Sequence, residues 1–85
     1  MKQFVETDLY PVLSRIDELF YKDKLISAEE AEDLSENIMW INGKQMNDAN
    51  INFVVNKLRG YKKFMDRQAV SIVIKCFIET TGGMI

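Results

Sequence analysis

In this 85-residue chain, the side chains most able to do chemistry lie in a basic stretch that is interleaved with aromatic residues. The cations are Lys57, Arg59, Lys62, Lys63 and Arg67, and the aromatic residues between them are Tyr61 and Phe64. Such residues can contact phosphates and stack on bases. A direct DNA binder usually has an overall basic balance, whereas this chain has a net charge of −2. The stretch therefore favours a protein partner or a solvated helix face, with DNA binding as the alternative.

Catalytic and metal-binding groups are otherwise sparse. The sequence has no histidine and one cysteine, Cys76, so neither the commonest general base nor a zinc-ligand spacing occurs. Cys76 lies among apolar residues and is expected to act as a small hydrophobic side chain. The acidic cluster from Glu29 to Glu36 could hold a hard cation, but such charges are also typical of solvated first helical turns. The sequence predicts no enzyme activity, cofactor, metal or small-molecule substrate.

Composition predicts a single globular domain, residues 1–85, because 47% of the residues are hydrophobic and 28% are charged. No apolar run is long enough to span a membrane, and the N-terminal segment lacks the pattern of a signal peptide. We therefore expect a cytoplasmic protein. Residues 1–50 hold five basic and eleven acidic side chains, whereas residues 51–85 hold six and two. This asymmetry indicates a dipolar surface that could steer a charged partner or pair with a second copy.

Hydrophobic periodicity and capping signals organise the chain into helices. They predict an all-α fold of three to four short helices, at about 9–22, 28–42, 48–64 and 67–80. The expected N-caps are Thr7 or Asp8, Ser27, Asn47 and Asp66. Ser27 and Glu30 have the spacing of a capping box, and Gly43 suits the end of the second helix. Whether the third helix breaks or bends at Gly60 stays open. Met39 and Trp40 are expected to widen the core face of the second helix.

The last predicted helix is apolar around most of its circumference. Its polar residues recur every fourth position, at Arg67, Ser71, Lys75 and Glu79. A strand is the competing interpretation, since β-branched residues are frequent there. A helix of this kind must be buried on several sides, either by the other helices or by a second copy. We therefore expect a small bundle completed by homodimerisation, with a frayed tail at 81–85. The expected core or dimer contacts are Leu58, Tyr61, Phe64, Val70, Val73, Ile74, Phe77 and Ile78.

Three successive motifs in residues 20–85 resemble those of a known family. Leu25 and Ile26 precede an acidic helix start, and a glycine turn at Gly43 leads through an asparagine-rich cap to Ile51. An aliphatic helix that begins at an aspartate then ends in threonine, residues 66–80. Together these motifs resemble the small biofilm and acid-resistance regulator family of enterobacteria (AriR/YmgB-like). The resemblance implies an all-α cytoplasmic homodimer that binds components of two-component phosphorelay signalling, with DNA binding also proposed for the family.

The functional expectation is a non-enzymatic regulator that acts by binding another protein, a component of a response-regulator pathway in biofilm and acid-stress responses. In that case the residues predicted as core or dimer contacts, here called the apolar set, mediate dimerisation. The charged helix faces then contact the partner protein. Two alternatives stay open. One is a small DNA-binding or nucleoid-associated modulator that uses the basic stretch, and the other is a phage- or plasmid-encoded inhibitor or antitoxin.

Overall fold

A computed structural model describes residues 2–84 of the chain. Within these residues the chain forms four α-helices and no strand, which confirms the all-α fold class. A 3-10 turn, Glu6–Leu9, precedes the first helix, and a second, Tyr61–Lys63, follows the third. The helices are α1 (Tyr10–Tyr21), α2 (Ala28–Met39), α3 (Asp48–Gly60) and α4 (Arg67–Gly82).

Side-chain caps set the starts of the last three helices. Ser27 and Glu30 form the reciprocal capping box, with the Ser27 N–H donating to Glu30 Oε1 at 2.8 Å. Asn47 and Asp66 each accept a hydrogen bond from the backbone N–H three residues further on, at 2.9 and 3.0 Å. Each cap satisfies a donor that the first helical turn otherwise leaves unpaired. These three helices therefore begin where their N-caps predict.

The first helix begins differently from the prediction. Asp8 accepts a hydrogen bond from the Val5 N–H at 3.0 Å, so its carboxylate caps the 3-10 turn that precedes α1. The N-cap of α1 is Leu9, which is buried and makes no side-chain cap hydrogen bond. Pro11 lies in the first turn of α1, where its missing N–H leaves no helical hydrogen bond unmade. The expectation that Thr7 or Asp8 caps α1 itself is wrong.

The helix ends also depart from the sequence-based bounds. The α-helical part of α2 stops at Met39, and the chain then turns to Gly43, which adopts a left-handed φ of +81°. Gly60 keeps a helical backbone, and the chain tightens there from α-helix to 3-10 turn. At the other end of the chain, α4 continues through Gly82. Thr81, the first residue of the predicted frayed tail, is fully buried within the helix, and its hydroxyl donates to the Phe77 carbonyl at 2.8 Å. Ile85 lies outside the described residues.

The apolar helix α4 is covered by the chain's own helices. α1 packs on α2 and α4, and α3 packs on α4 and less extensively on α2. The residues of α4 that face these neighbours are buried, namely Ala69, Val70, Val73, Ile74 and Phe77. The other helices of the same chain therefore bury α4, which is one of the two alternatives that its apolar character predicted. Homodimerisation stays a prediction.

The N-terminal segment is hydrogen-bonded to the turn that connects α2 to α3. Phe4 is fully buried, and its N–H donates to the Lys44 carbonyl at 2.8 Å while its carbonyl accepts from the Gly43 N–H at 2.7 Å. Next to them, Gln3 and Gln45 form an isolated antiparallel bridge. These hydrogen bonds hold the backbone of Lys44 close to the end of α2 and to Trp40, which follows that helix.

Candidate functional site

A groove between α3 and α4 brings together residues from both sets that the sequence singled out. It has a volume of about 350 Å³, and its lining residues are Arg59, Lys62, Ser71, Ile74, Lys75, Ile78 and Glu79. Ile74 is nearly buried and forms the floor, whereas Ile78 is 43% exposed. Three cations and one carboxylate surround this apolar strip. The groove can therefore bury an apolar side chain while its rim attracts negative charge.

Helical spacing explains how these side chains meet. Arg59 lies in the last turn of α3, and Lys62 lies three residues later in the 3-10 turn. Ile74 and Ile78 are one turn apart on α4, as are Lys75 and Glu79 on its polar stripe. Among residues 2–84, the ion pairs within 4.0 Å are those of Arg15 with Glu18 and Asp23. The three cations of the groove are therefore available to an external anion.

The remaining members of the apolar set have other positions. Four of them, Leu58, Val70, Val73 and Phe77, are fully buried among the helices of the same chain. They are core residues of the single chain, which is one of the two roles predicted for them. α1 and α3 cover the three residues of α4, and Leu58 is a residue of α3, which packs on α4.

Phe64 and Tyr61 differ although they are close in sequence. Phe64 is 83% exposed and lies at the C-cap of the second 3-10 turn, so it is accessible to another molecule. Tyr61 is half-buried, and its phenolic oxygen accepts a hydrogen bond from Asn37 Nδ2 at 2.8 Å. Tyr61 therefore ties α2 to the end of α3, and the accessible apolar residues of the predicted set are Phe64 and Ile78.

The five basic residues that were predicted to contact a partner do not lie on one surface. Arg59 and Lys62 line the groove, and Lys75, which the sequence did not place in that set, joins them from α4. Lys63 and Arg67 are exposed and are not among the lining residues of the groove. Lys57 lies two residues before Arg59 on α3, which places it on roughly the opposite side of that helix. Residues 57–67 therefore do not form one continuous basic face.

Lys57 belongs to a second surface, between α2 and α3. The rings of Trp40 and Phe53 are stacked, with centroids 4.3 Å apart and planes at 27°. The Lys44 ammonium lies 4.9 Å from the centroid of Trp40, and the Lys57 ammonium lies 5.9 Å from that of Phe53. A cleft of about 250 Å³ adjoins the pair, and its lining residues are Glu36, Asn37, Trp40, Phe53, Val54 and Lys57.

Trp40 was expected to widen the core face of α2, and the structure corrects this. Trp40 is 37% exposed because α2 ends before it and the chain turns, whereas Met39 is half-buried against the core. Phe53 was missed altogether. It lies off the core stripe of α3 and is 44% exposed, one turn before Lys57. A large aromatic residue on the polar face of a helix, four residues before a lysine, is a signal that would have drawn attention to it.

Other groups that could do chemistry are scattered. In the part of the chain that the structure describes, no cluster of three or more acidic, histidine or cysteine side chains is arranged to hold a metal ion. Cys76 is half-buried, with its Sγ 3.7 Å from the Pro11 carbonyl oxygen. No helix within residues 2–84 has the length and apolar character needed to cross a membrane.

Comparison with known proteins returns no family, no curated protein and no solved structure that matches this chain. Functional inference therefore rests on the surfaces themselves.

Proposed function

We propose that this chain is a non-enzymatic regulatory protein that binds an acidic, amphipathic helix of another protein in the groove between α3 and α4. The observation that carries this function is the combination of an apolar strip, Ile74 and Ile78, with the cations of Arg59, Lys62 and Lys75. An amphipathic helix places its apolar side chains in such a groove and its charged side chains on the rim.

The chemistry of the groove sets the character of the partner. Ile74 and Ile78 are one helical turn apart, so they suit apolar residues at a spacing of three or four along the partner helix. Carboxylates on both edges of that helix then reach Arg59 and Lys62 on one wall and Lys75 on the other. Glu79 is the single acid in the lining, and it disfavours carboxylates at its own end of the groove. The charge pattern thereby selects an orientation as well as a partner.

The resemblance described above supplies the biological setting for this activity. In that setting the chain is a connector that binds a component of a two-component signalling pathway and thereby affects biofilm and acid-stress responses. The segment of such a component that we expect to bind in the groove is an exposed acidic helix.

The test uses a fluorescently labelled synthetic helix with leucines at helical spacing and glutamates on both flanks, titrated with the protein and followed by anisotropy. A peptide of the same composition in scrambled order is the control. We expect the amphipathic peptide, but not the scrambled one, to bind saturably. The double variant Lys62→Glu/Lys75→Glu should bind the amphipathic peptide about tenfold more weakly. The matched variant Lys24→Glu/Lys63→Glu makes the same charge change at exposed positions outside the groove and should bind as the unmodified chain does.

Duplex DNA in the same assay addresses the alternative function. Binding of a duplex that weakens steeply with salt and is lost in Lys62→Glu/Lys75→Glu would replace the peptide groove with a phosphate contact. Equal binding of the amphipathic and scrambled peptides would show that charge alone drives association, and the proposed function would then be wrong.

A further inference from the structure

The surface between α2 and α3 contains two stacked aromatic rings, whereas the described lining of the α3–α4 groove contains no aromatic residue. Trp40 and Phe53 are stacked at 4.3 Å, which leaves no room for another group between the rings. The ammonium groups of Lys44 and Lys57 must therefore lie over the outer faces of the two rings. The result is a column of lysine, tryptophan, phenylalanine and lysine, in that order. We call these four residues, Lys44, Trp40, Phe53 and Lys57, the aromatic column.

The electrostatics of the aromatic column follow from this order. Aromatic rings are negative on their faces and positive at their edges. Since the ammonium groups occupy the outer faces and the rings cover each other's inner faces, solvent meets mainly ring edges and ammonium groups. The exposed part of the column is therefore apolar and positive at once. Trp40 and Phe53 are 37% and 44% exposed, so the chain itself leaves this surface uncovered.

The adjoining cleft adds a place for one side chain. Val54 and the two rings supply its apolar lining, Lys57 lies on the α3 side, and Glu36 and Asn37 lie on the α2 side. Its volume of about 250 Å³ accommodates a single large aliphatic or aromatic side chain. Glu36 makes the α2 side unfavourable for a carboxylate. Negative charge on a ligand is accordingly directed toward Lys44 and Lys57.

We propose that the aromatic column and its cleft form a second protein-binding site, which takes a short acidic peptide segment with one large apolar anchor. The anchor enters the cleft against Val54 and the rings, and carboxylates on either side of it pair with Lys44 and Lys57. Tryptophan is enriched among the residues that dominate binding energy at interfaces, particularly where the surrounding contacts exclude water. This site lies on the other side of α3 from the groove, so one chain can hold two acidic segments at the same time.

A single-stranded nucleic acid is the other ligand that exposed aromatic rings and lysines suggest. Base stacking needs a free ring face, and a base that stacked on Trp40 or Phe53 would have to displace the lysine ammonium that lies over that ring. Glu36, on the rim of the cleft, also repels phosphate. A peptide meets ring edges and needs no displacement of either lysine. The geometry therefore favours the peptide.

Trp40 is the only tryptophan of the chain, so its fluorescence reports on this site directly. The probe is a tryptophan-free synthetic peptide with one leucine between pairs of glutamates and blocked ends. Its control has glutamines in place of the glutamates. We expect a saturable change in Trp40 emission with the acidic peptide, at least tenfold weaker binding of the glutamine peptide, and a shift of the Asn37 side-chain amide resonances in an NMR titration.

Variants separate this site from the groove. Lys44→Glu/Lys57→Glu should weaken the emission response about tenfold, and the milder Lys44→Gln/Lys57→Gln should weaken it less, with unchanged circular dichroism in both. Lys62→Glu/Lys75→Glu should leave the Trp40 response unchanged while it weakens peptide binding in the groove about tenfold. No saturable response in the unmodified chain, an equal response in the charge-reversed variant, or tighter binding of an oligothymidine would each overturn the second site without affecting the first.

Discussion

Asn37 Nδ2 lies 2.8 Å from the phenolic oxygen of Tyr61 and donates a hydrogen bond to it, which joins the last turn of α2 to the turn that follows α3. The same nitrogen donates to the Asp33 carbonyl one turn earlier in α2. α2 packs less extensively on α3 than on α1, and this bond links α2 to the end of α3. It also lies next to the cleft that Asn37 lines.

Tyr61→Phe removes the acceptor and keeps the ring. We expect a loss of about 0.5–1.5 kcal/mol in the free energy of unfolding, since a net hydrogen bond contributes that much and Asn37 keeps its bond to Asp33. Urea denaturation followed by circular dichroism measures it. Tyr21→Phe at an exposed tyrosine is the control, and an equal loss there would contradict the role of Tyr61.

Phe77 and Ile78 are adjacent in α4 but have opposite roles. Phe77→Ala should cost about 3–5 kcal/mol of stability, because the side chain is fully buried in the core. Ile78→Ala should cost much less, since that side chain is 43% exposed, yet it should weaken peptide binding in the groove. Thermal unfolding and the anisotropy titration, run on both variants, check the pair. Similar destabilisation by both would contradict the observed burial.

Thr81 tests whether the end of α4 is ordered. Thr81→Val keeps the shape of the side chain and removes the hydroxyl that donates to the Phe77 carbonyl. We expect destabilisation of about 1 kcal/mol, measured by urea denaturation. A frayed tail would instead make the substitution neutral, as it should be for Thr7→Val at an exposed position.

Asp66 stabilises the start of α4 through its cap. Asp66→Ala should cost about 1 kcal/mol, because the Ala69 N–H loses its acceptor. Asp66→Asn keeps an acceptor oxygen and should retain most of the stability. The difference between the two variants in thermal unfolding isolates the hydrogen bond from the rest of the site, and equal losses would show that the charge at the helix start is what matters.

We expect homodimerisation to use Phe64 and Ile78, the residues of the predicted apolar set that the fold leaves accessible. We expect sedimentation velocity at micromolar concentration to show a dimer, and Phe64→Ser/Ile78→Ser to shift it to monomer. Since Ile78 also lines the groove, an acidic peptide should compete with self-association. A monomer in the unmodified chain at that concentration would rule out the dimer.

Part of the candidate site was visible in the sequence. Arg59, Lys62, Ile74 and Ile78 were all singled out, but in two separate sets, one for a partner and one for the core or a dimer. Helical periodicity tells which residues share a face of one helix, and it contains no information about which face of a neighbouring helix lies opposite. The union of these four residues with Lys75 in one groove is a consequence of how α3 and α4 pack.

The aromatic column was not foreseen for a related reason. Lys44 lies near Trp40 in a turn whose backbone exchanges two hydrogen bonds with Phe4, a residue far away in sequence: the Phe4 N–H donates to the Lys44 carbonyl, and the Gly43 N–H donates to the Phe4 carbonyl. Phe53 comes from another helix. Each contact joins residues whose proximity depends on the tertiary fold.

The sequence by itself determined the helical class, the starts of α2, α3 and α4, and the amphipathic character of each helix. These properties depend on interactions within four residues, such as the bond from Asp66 to the Ala69 N–H, which form wherever the local residues permit. Only the tertiary structure decided that α4 is covered by its own chain, that Trp40 faces solvent and that Thr81 is buried. Burial depends on which surfaces of distant segments meet, and that is settled by the packing of the whole chain.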